Sequence, residues 1–425
     1  MTESVSKNRR AVFYIVVSFF WFSLYAYVPY VTPYGEYLGA DMRLLGLIAG
    51  AYGFTQMLIR IPLGLLSDKL RRRKIFVQLG LLLAAVGAFL AFFFPSPHML
   101  LIMRGIGGFA AAAWVTFTVL GASYYKSEET AKSMGYLSSA NAFGRMIALL
   151  TGGLIAQWLG ISYAFLLGGI AGIVGLVISF GVAEKRPEIK NEEVASPLPE
   201  GSGSGIHSRC SGGVWGSAPL EKVASLPRTP LKELAAVARN KQLLCCSILG
   251  ILAMYISFAT TFGFTPIAAT MLDASQFQLG LLGVLSTAPA IFISPLAGNI
   301  MPKKLGAAAT LAIGFVLAGA GTALVAISHS LWSLFAVQIV GSIGGAISGT
   351  LLLGLCIRDI PAERRATAMG FFQAVYGIGM FLGPFATGYI SHGFGLMAAF
   401  LFTGAIGLLG ALLAIVFAKK GVLRY

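Results

Sequence analysis

The chain has 425 residues, of which 57% are hydrophobic and 11% are charged, and its formal net charge is +15. About a quarter of the residues in an ordinary soluble domain are charged, so this composition, with a mean hydropathy of +0.81, excludes a water-soluble fold. The basic residues lie in termini and loops rather than in one patch, which argues against nucleic-acid binding.

Apolar runs of about 20 residues, enough to cross a bilayer as a helix, recur along the whole chain. Twelve can be placed, at 11–34, 42–68, 74–94, 98–124, 130–158, 161–183, 241–270, 276–300, 304–327, 330–357, 363–391 and 394–418. The first run is too long for a signal peptide and is expected to remain as helix 1. The pattern predicts an all-α, multi-pass protein of the cell membrane, which in a bacterium is the cytoplasmic membrane.

The distribution of positive charge predicts the orientation of these helices. Arg60, Arg104 and Arg145 lie inside apolar runs, and Arg43 lies in a loop on one side. All other basic residues fall in the termini and in loops of the opposite side. Because cytoplasmic loops carry an excess of Lys and Arg, both termini are predicted to be cytoplasmic.

The long polar segment 184–240 divides the helices into two groups of six. It contains Gly-Ser-Gly-Ser-Gly at 201–205, which is typical of a flexible linker. We therefore predict an N-terminal bundle at 1–183, a cytoplasmic linker at 184–240 and a C-terminal bundle at 241–425. Part of the linker could instead be an engineered insert.

The two groups of helices repeat each other in sequence with an offset of about 234 residues. Thr32-Pro33 matches Thr265-Pro266, and Gly144 matches Gly379. Because each copy has six spans, the second enters the membrane in the same direction as the first. A parallel repeat of this kind predicts two bundles with a binding site between them.

The end of predicted helix 2 carries a glycine, an aspartate four residues later, and then basic residues. They are Gly64, Asp68, Lys69, Arg72 and Arg73. The pattern resembles the signature loop of the major facilitator superfamily, although Arg71 stands where that family usually has a glycine. The resemblance implies that Asp68 meets the start of helix 11 and helps to lock the outward-facing state. As an alternative, the basic run is only a topology signal.

Predicted helix 4 carries an arginine followed by small residues, Arg104, Gly107 and Gly108. This resembles a second motif of the same superfamily, which implies a role for Arg104 in proton coupling or substrate contact. The alternative is a structural ion pair with Glu36 or Asp41, which are both predicted near the outer surface.

Predicted helix 11 contains glycines around a proline, in the order Gly379, Gly383, Pro384 and Gly388. The pattern resembles the glycine-proline motif that antiporters of the superfamily usually carry in helix 5, where this chain has lost the proline. The resemblance favours export only weakly. Close helix packing through small residues is the alternative.

No acidic residue lies in the middle of a predicted span, whereas three arginines do, all in the N-terminal half. A charged side chain at the bilayer centre costs about 2.5 kcal/mol or more, so each arginine should face protein or water. An excess of positive charge in a central cavity would suit an anionic or zwitterionic substrate. A structural role is the competing interpretation.

Two sets of residues are the candidates for the site. Coupling or substrate contacts are expected from Arg104, Arg145, Arg60, Gln56 and Gln338. The cavity is expected to include Trp21, Tyr25, Trp114, Tyr255 and Thr260. If the substrate is a cation, the aromatic members would bind it through cation–π contacts.

The resemblance implies a secondary transporter that works by alternating access, coupled to protons, with a slight preference for efflux of a drug or metabolite. The alternative is uptake or exchange of an anionic or zwitterionic metabolite. An enzyme is not expected, because the four histidines lie in predicted loops away from any catalytic group. The four cysteines have no metal-ligand spacing, so neither metal nor cofactor is expected. The expected partners are a small molecule, protons and the bilayer, with the chain as a monomer.

Overall fold

The computed structural model describes residues 7–70, 72–125, 130–184, 238–361 and 364–423, and all the regular structure in these ranges is helical. Eleven segments of this part of the chain are long and apolar enough to cross a membrane. The last continuous helix, Arg365–Lys419, is divided by Gly395, whose φ of 84° and ψ of 161° are not helical. With that helix counted as two, the segments are α1 to α12.

The first six segments form the N-terminal half. Their bounds are Lys7–Tyr25, Val28–Tyr30 (3₁₀) and Val31–Tyr37 for α1, Met42–Leu70 for α2, Arg73–Phe93 for α3, Pro97–Ala112 and Trp114–Ala122 for α4, Thr130–Leu159 for α5, and Ile161–Ser179 for α6. The break in α4 at Ala113 was not expected from the sequence, which predicts an unbroken helix over 98–124.

The last six segments form the C-terminal half. Their bounds are Lys241–Ala259, Thr260–Phe264 (π) and Thr265–Thr270 for α7, Gln276–Thr287, Pro289–Pro295, Leu296–Ile300 (π) and Met301–Leu305 for α8, Ala307–Val325 for α9, Leu331–Leu355 for α10, 365–394 for α11 and 396–419 for α12. The predicted linker 184–240 lies outside the described residues except for 184 and 238–240.

Polar side chains at the helix starts satisfy backbone N–H groups that lack a partner within the helix. The Ser96 hydroxyl accepts from the N–H of Met99, and the Asn240 side chain accepts from the N–H of Leu243. Ser275 begins α8 with a capping box that also involves the side chain of Gln278. These caps fix where the helices begin at both ends of the bundle.

Both α1 and α7 lose regular helical geometry just before Pro33 and Pro266, which are equivalent in the repeat. Proline lacks an N–H and clashes with the carbonyl four residues earlier, and in an apolar environment the released carbonyls need other donors. The Thr32 hydroxyl donates to the carbonyl of Gly263 at 2.6 Å. This buried hydrogen bond joins the two halves at their irregular turns.

Glycines bring the two halves together along two related seams. A Cβ atom on Gly46 of α2 would lie 2.5 Å from the carbonyl oxygen of Pro384 in α11. A Cβ atom on Gly280 of α8 would lie 2.6 Å from the carbonyl oxygen of Leu149 in α5. Real Cβ atoms do not approach a carbonyl this closely, so only glycine permits these helix pairs to touch.

The contacts between the halves lie toward the end of the bundle opposite the chain termini. We call this end, where α1 joins α2 and α7 joins α8, the distal face, and the end with the termini the terminal face. At the distal face the Tyr30 hydroxyl donates to the carbonyl of Gln276 at 3.1 Å, and Asp41 lies 3.8 Å from His392. Near the terminal face, Trp114–Ala122 packs on α2, α3 and the rest of the N-terminal half, and Met301–Leu305 packs within α8 and against α9. Each of these segments packs within its own half, whereas the distal face has contacts between the halves. The described helices are therefore closed together at the distal face.

Replacing Gly46 by alanine should shift the protein away from this conformation. Overpacking a tight contact costs about 1–3 kcal/mol, which corresponds to a roughly five- to more than hundredfold change in the ratio of two conformations. A single cysteine at Ser342, introduced after the native cysteines are replaced, should react more slowly with an impermeant maleimide added from the terminal face of oriented vesicles.

The matched control is Gly393→Ala in α11, where a Cβ atom would meet nothing within 4 Å. It should leave the labelling rate unchanged. Equal rates for Gly46→Ala and the parent protein would mean that the α2–α11 seam does not hold this conformation.

Candidate functional site

A cavity of about 230 Å³ lies between the halves, mainly within the C-terminal half. Arg145 of α5 is the only lining residue from the N-terminal half within the described ranges. The remaining polar lining residues come from α7 to α10. They are Ser257, Thr260, Thr261, Ser286, Thr287, Thr322, Gln338, Ser342 and Ser348. The cavity thus has a cationic side and a neutral polar side.

On the neutral side, the Gln338 side chain is held in place by hydrogen bonds. Its side chain is only 5% exposed, and its amide nitrogen donates to the hydroxyls of Thr261 at 3.0 Å and Ser286 at 2.9 Å. Because an amide NH₂ has two hydrogens, both donors are engaged. The amide oxygen remains as an acceptor.

On the cationic side, Arg145 stacks on an aromatic ring. Its Cζ atom lies 4.3 Å from the centroid of the Tyr25 ring. Its Nε atom has no hydrogen-bond partner, and within the described ranges no carboxylate pairs with it. The guanidinium therefore reaches the cavity with donors to spare.

Arg104 has the same kind of neighbour but deeper in the protein. Its Cζ atom lies 4.7 Å from the centroid of the Tyr52 ring, and the side chain is 4% exposed. Within the described residues Arg104 forms no ion pair with Glu36 or Asp41, and Asp41 pairs instead with Arg43 at 3.1 Å. Arg104 contacts Tyr52 and does not line the cavity.

A chain of aromatic rings links the two arginine sites and crosses between the halves. Successive ring centroids are 4.9–6.1 Å apart, within the range of favourable aromatic pairs. In order, the rings are Trp114, Trp21, Tyr25, Phe262, Phe258 and Tyr52. None of Trp21, Tyr25 and Trp114 lines the cavity itself. Tyr25 reaches it only through its contacts with Arg145 and Phe262.

Arg60 and Gln56 lie on α2 beyond Tyr52, and both are buried. The Nε atom of Arg60 and the amide oxygen of Gln56 lack hydrogen-bond partners. Together with Arg104, whose guanidinium lies over the Tyr52 ring, Arg60 makes this part of the N-terminal half electropositive.

The remaining cavity candidates divide in the structure. Thr260 lines the cavity, and its hydroxyl donates to the carbonyl of Ile256 at 2.7 Å. Tyr255 does not line the cavity but is buried under α11, where a Cβ atom on Gly383 would lie 2.4 Å from its carbonyl oxygen. Tyr255 therefore lies outside the cavity in this conformation, and its role in the site stays a prediction.

The glycine-proline motif of α11 packs helices together. A Cβ atom on Gly379 would lie 2.0 Å from the carbonyl oxygen of Ile251 in α7, and one on Gly388 would lie 2.4 Å from that of Met42 in α2. The equivalent Gly144 of α5 is as close to the carbonyl of Ser18 in α1, at 2.2 Å. The packing interpretation of these small residues describes their contacts in both halves.

The residues of the signature loop do not meet α11 in the described ranges. Gly64 faces Val115 of α4, and a Cβ atom added to Gly64 would lie 3.8 Å from the Val115 side chain. The side chain of Asp68 and residue 363 at the start of α11 lie outside the described residues. At the start of α3, beside Lys69 and Arg72, the N–H of Arg73 donates to the carboxylate of Glu184. Glu184 thus ties the end of α6 to this loop.

Several contributors to the site were not singled out from the sequence. Thr261 and Ser286 hold Gln338, and Phe258 and Phe262 face the two tyrosines from the other half. The hydroxyl pairs Thr260-Thr261 and Ser286-Thr287 within apolar runs were the available signal. Nothing in the sequence shows which phenylalanines meet the tyrosines.

Comparisons with known proteins agree with this architecture. The family model of the Major Facilitator Superfamily matches residues 13–273 and 248–422. An uncharacterized MFS-type transporter, MJ1560 of Methanocaldococcus jannaschii, is 24% identical over 88% of this chain and 89% of its own length. The inner membrane transport protein YajR of Escherichia coli is 24% identical over 93% of this chain and 80% of its own length.

The quinolone resistance protein NorA of Staphylococcus aureus is 25% identical over 42% of this chain and 45% of its own. Among solved structures, the nucleoside transporter NupG superposes with a TM-score of 0.69 and 16% identity, covering 97% of this chain and 99% of that one. A likeness at this identity concerns the fold and not the substrate.

Removing the Tyr25 ring should destabilise the protein more when Arg145 is present than when it is absent. A cation–π contact contributes about 0.5–2 kcal/mol, so Tyr25→Leu should lower the apparent melting temperature by more than Tyr25→Phe does. In an Arg145→Gln background, the difference between the two variants should shrink, as measured in a double-mutant cycle.

Additive effects of Tyr25→Leu and Arg145→Gln would contradict a stabilising contact between the two side chains. The Phe variant controls for the hydroxyl, because it keeps the ring and its packing against Trp21 and Phe262.

Proposed function

The chain belongs to the Major Facilitator Superfamily and is a multi-pass membrane transporter of a small molecule, and we propose that it carries an organic anion or zwitterion by alternating access. The observation that supports this substrate class is Arg145, a guanidinium at a central cavity that lacks a counter-charge within the described ranges. A carboxylate or phosphate would provide that charge.

The energetics favour a substrate that pairs with the arginine. A charge in the bilayer interior costs about 2.5 kcal/mol or more, and a cation–π contact returns about 0.5–2 kcal/mol of this. A bidentate bond to a carboxylate returns more, because both partners are ionised and their geometries match. A site of this kind therefore favours the binding of an anion.

Efflux of a cationic drug is the second candidate, and the similarity to NorA over less than half of the chain is what favours it. Two observations weigh against it. The ring faces that would bind a cation, those of Tyr25 and Tyr52, already carry guanidinium groups. The cavity, at about 230 Å³, is also below the roughly 300–1,000 Å³ of sites for drug-sized ligands.

We propose that the terminal face is cytoplasmic, as the distribution of Lys and Arg predicts. The described conformation, closed at the distal face, is then inward-facing. The preference for export stays slight, because the glycine-proline motif lies in α11 and its glycines serve helix packing. We also propose that the protein works as a monomer, each chain having its own cavity between its halves.

Proton coupling is proposed with the substrate as the titrating partner. Within the described ranges, Asp and Glu occur only at helix ends and in turns, so no carboxylate of the spans reaches the cavity. The substrate anion is then the group that can carry a proton, and it must leave Arg145 to take one up, because the guanidinium favours the ionised form.

The signature-loop residues are proposed as a gate that closes the terminal face in the opposite conformation. Gly64 makes no closer contact than the 3.8 Å from an added Cβ atom to Val115, and its lack of a side chain would let α11 approach when the halves rock. The unpaired N–H groups at the start of α11 would then attract the Asp68 carboxylate. Asp68→Asn should weaken closure of the terminal face. A cysteine at Ser342 should then react faster with maleimide added from that face, whereas Gly46→Ala should slow the same reaction.

Purified protein screened against anionic, zwitterionic and cationic metabolites should be stabilised by members of the first two classes, since a ligand that binds only the native state raises its melting temperature. Arg145→Gln should weaken binding of the stabilising compound at least tenfold. Arg145→Lys should weaken binding less than Arg145→Gln does, because lysine keeps the positive charge but presents a point charge in place of the planar fork. Counterflow in proteoliposomes, with and without a pH gradient, then measures transport and its coupling to protons.

Lys303→Gln, which removes an equal charge from the exposed end of α8, should leave binding unchanged. A cationic compound bound equally well by the parent protein and Arg145→Gln would refute the anion proposal.

A further inference from the structure

We propose that the substrate is a polyhydroxylated acid of about six carbon atoms, its anionic group on Arg145 and its hydroxyl groups donating to the wall formed by α7 to α10. This inference rests on the proposed function and specifies its substrate class. It derives from the direction of the hydrogen bonds in the neutral wall of the cavity.

Most hydroxyl hydrogens of that wall are already used. Six of its hydroxyls donate to a backbone carbonyl three or four residues earlier in their own helix, at 2.7–3.3 Å. They belong to Thr260, Ser286, Thr287, Thr322, Ser342 and Ser348. Each oxygen keeps lone pairs but no free hydrogen.

Gln338 has the same character. Both hydrogens of its amide are bound to Thr261 and Ser286, and its oxygen remains to accept. The wall therefore offers mainly hydrogen-bond acceptors to the cavity. A molecule that fits it must bring donors, since a buried acceptor that faces another acceptor loses its hydrogen bonds to water without replacing them.

Substrate donors could be hydroxyl or ammonium groups, and the charge distribution favours hydroxyls. Among the described residues no carboxylate lines the cavity, whereas Arg145 does. An ammonium group would lose its hydration without gaining a counter-ion and would be repelled by the guanidinium. Hydroxyl groups satisfy the same acceptors without that penalty.

The two sides together define one molecule. Arg145 is a donor-rich cation facing the acceptor-rich wall across a cavity of about 230 Å³, so the ligand needs an anionic end and a body with several hydroxyls. Simple carboxylates lack donors for the wall, and neutral polyols lack the anion for Arg145.

Three six-carbon probes separate these requirements. Gluconate has a carboxylate and hydroxyls, hexanoate has the carboxylate alone, and sorbitol has the hydroxyls alone. Isothermal titration of the purified full chain should show gluconate binding at least tenfold more tightly than either of the others. Arg145→Gln should reduce gluconate to the level of sorbitol.

Variants of the wall test the hydroxyl contribution. Thr322→Val and Ser342→Ala each remove one hydrogen-bond acceptor from the cavity, and the helix that held the hydroxyl remains intact. Each variant should lower the affinity for gluconate about three- to tenfold, the effect of one hydrogen bond. The affinity for hexanoate should not change. The matched control is Thr310→Val in the same helix as Thr322. Thr310 makes the same kind of backbone bond, to Gly306 at 2.8 Å, but does not line the cavity.

Each alternative result has a distinct meaning. Equal affinity for gluconate and hexanoate would overturn the polyhydroxylated class and leave the anion proposal standing. Equal affinity for gluconate and sorbitol would overturn both proposals. Absence of binding by all three would overturn the polyhydroxylated class and leave the anion proposal to the metabolite screen. Loss of gluconate affinity in Thr310→Val equal to that in Thr322→Val would show that the wall acts through stability alone.

Discussion

The positive charge held inside the helix bundle without a carboxylate is the constraint on which the site depends. Arg104 and Arg145 rest on the faces of Tyr52 and Tyr25, an arrangement that offsets only part of the cost of a charge in an apolar interior. The rings are placed in turn by phenylalanines of α7. The arginines of one half are thus positioned through aromatic contacts with the other half.

Those aromatic contacts require the close approach of the halves, and glycines at the seams provide it. Gly46 against Pro384 and Gly280 against Leu149 bring the backbones of α2 and α11, and of α8 and α5, into direct contact. The two seams are related by the repeat, so one solution to helix packing is used twice. Because the seams are tight only toward the distal face, the halves can separate there without unpacking either bundle.

Much of this organisation could be predicted from the sequence, since apolar length gives the spans and the offset of the repeat gives the pairing of halves. The three arginines within the spans and Gln338 were also visible, because polar residues in apolar runs are rare. The rings beneath the arginines and the direction of the wall hydrogen bonds were not, because both depend on contacts between distant helices. Tyr255 shows the limit: the sequence predicts it among the cavity residues of α7, but in this conformation it packs under the glycines of α11.

The divergence of the two halves explains why the cavity can be selective. Arg104 and Gln338 occupy equivalent positions of the repeat, yet one supports an electropositive tyrosine site and the other orders an acceptor wall. A substrate that binds both sides makes different contacts with each half, so its binding energy depends on how the halves are oriented. A ligand can shift a conformational equilibrium only through such differential contacts. The asymmetry between arginine and glutamine is therefore what would let one bound molecule couple recognition to the rocking of two otherwise similar bundles.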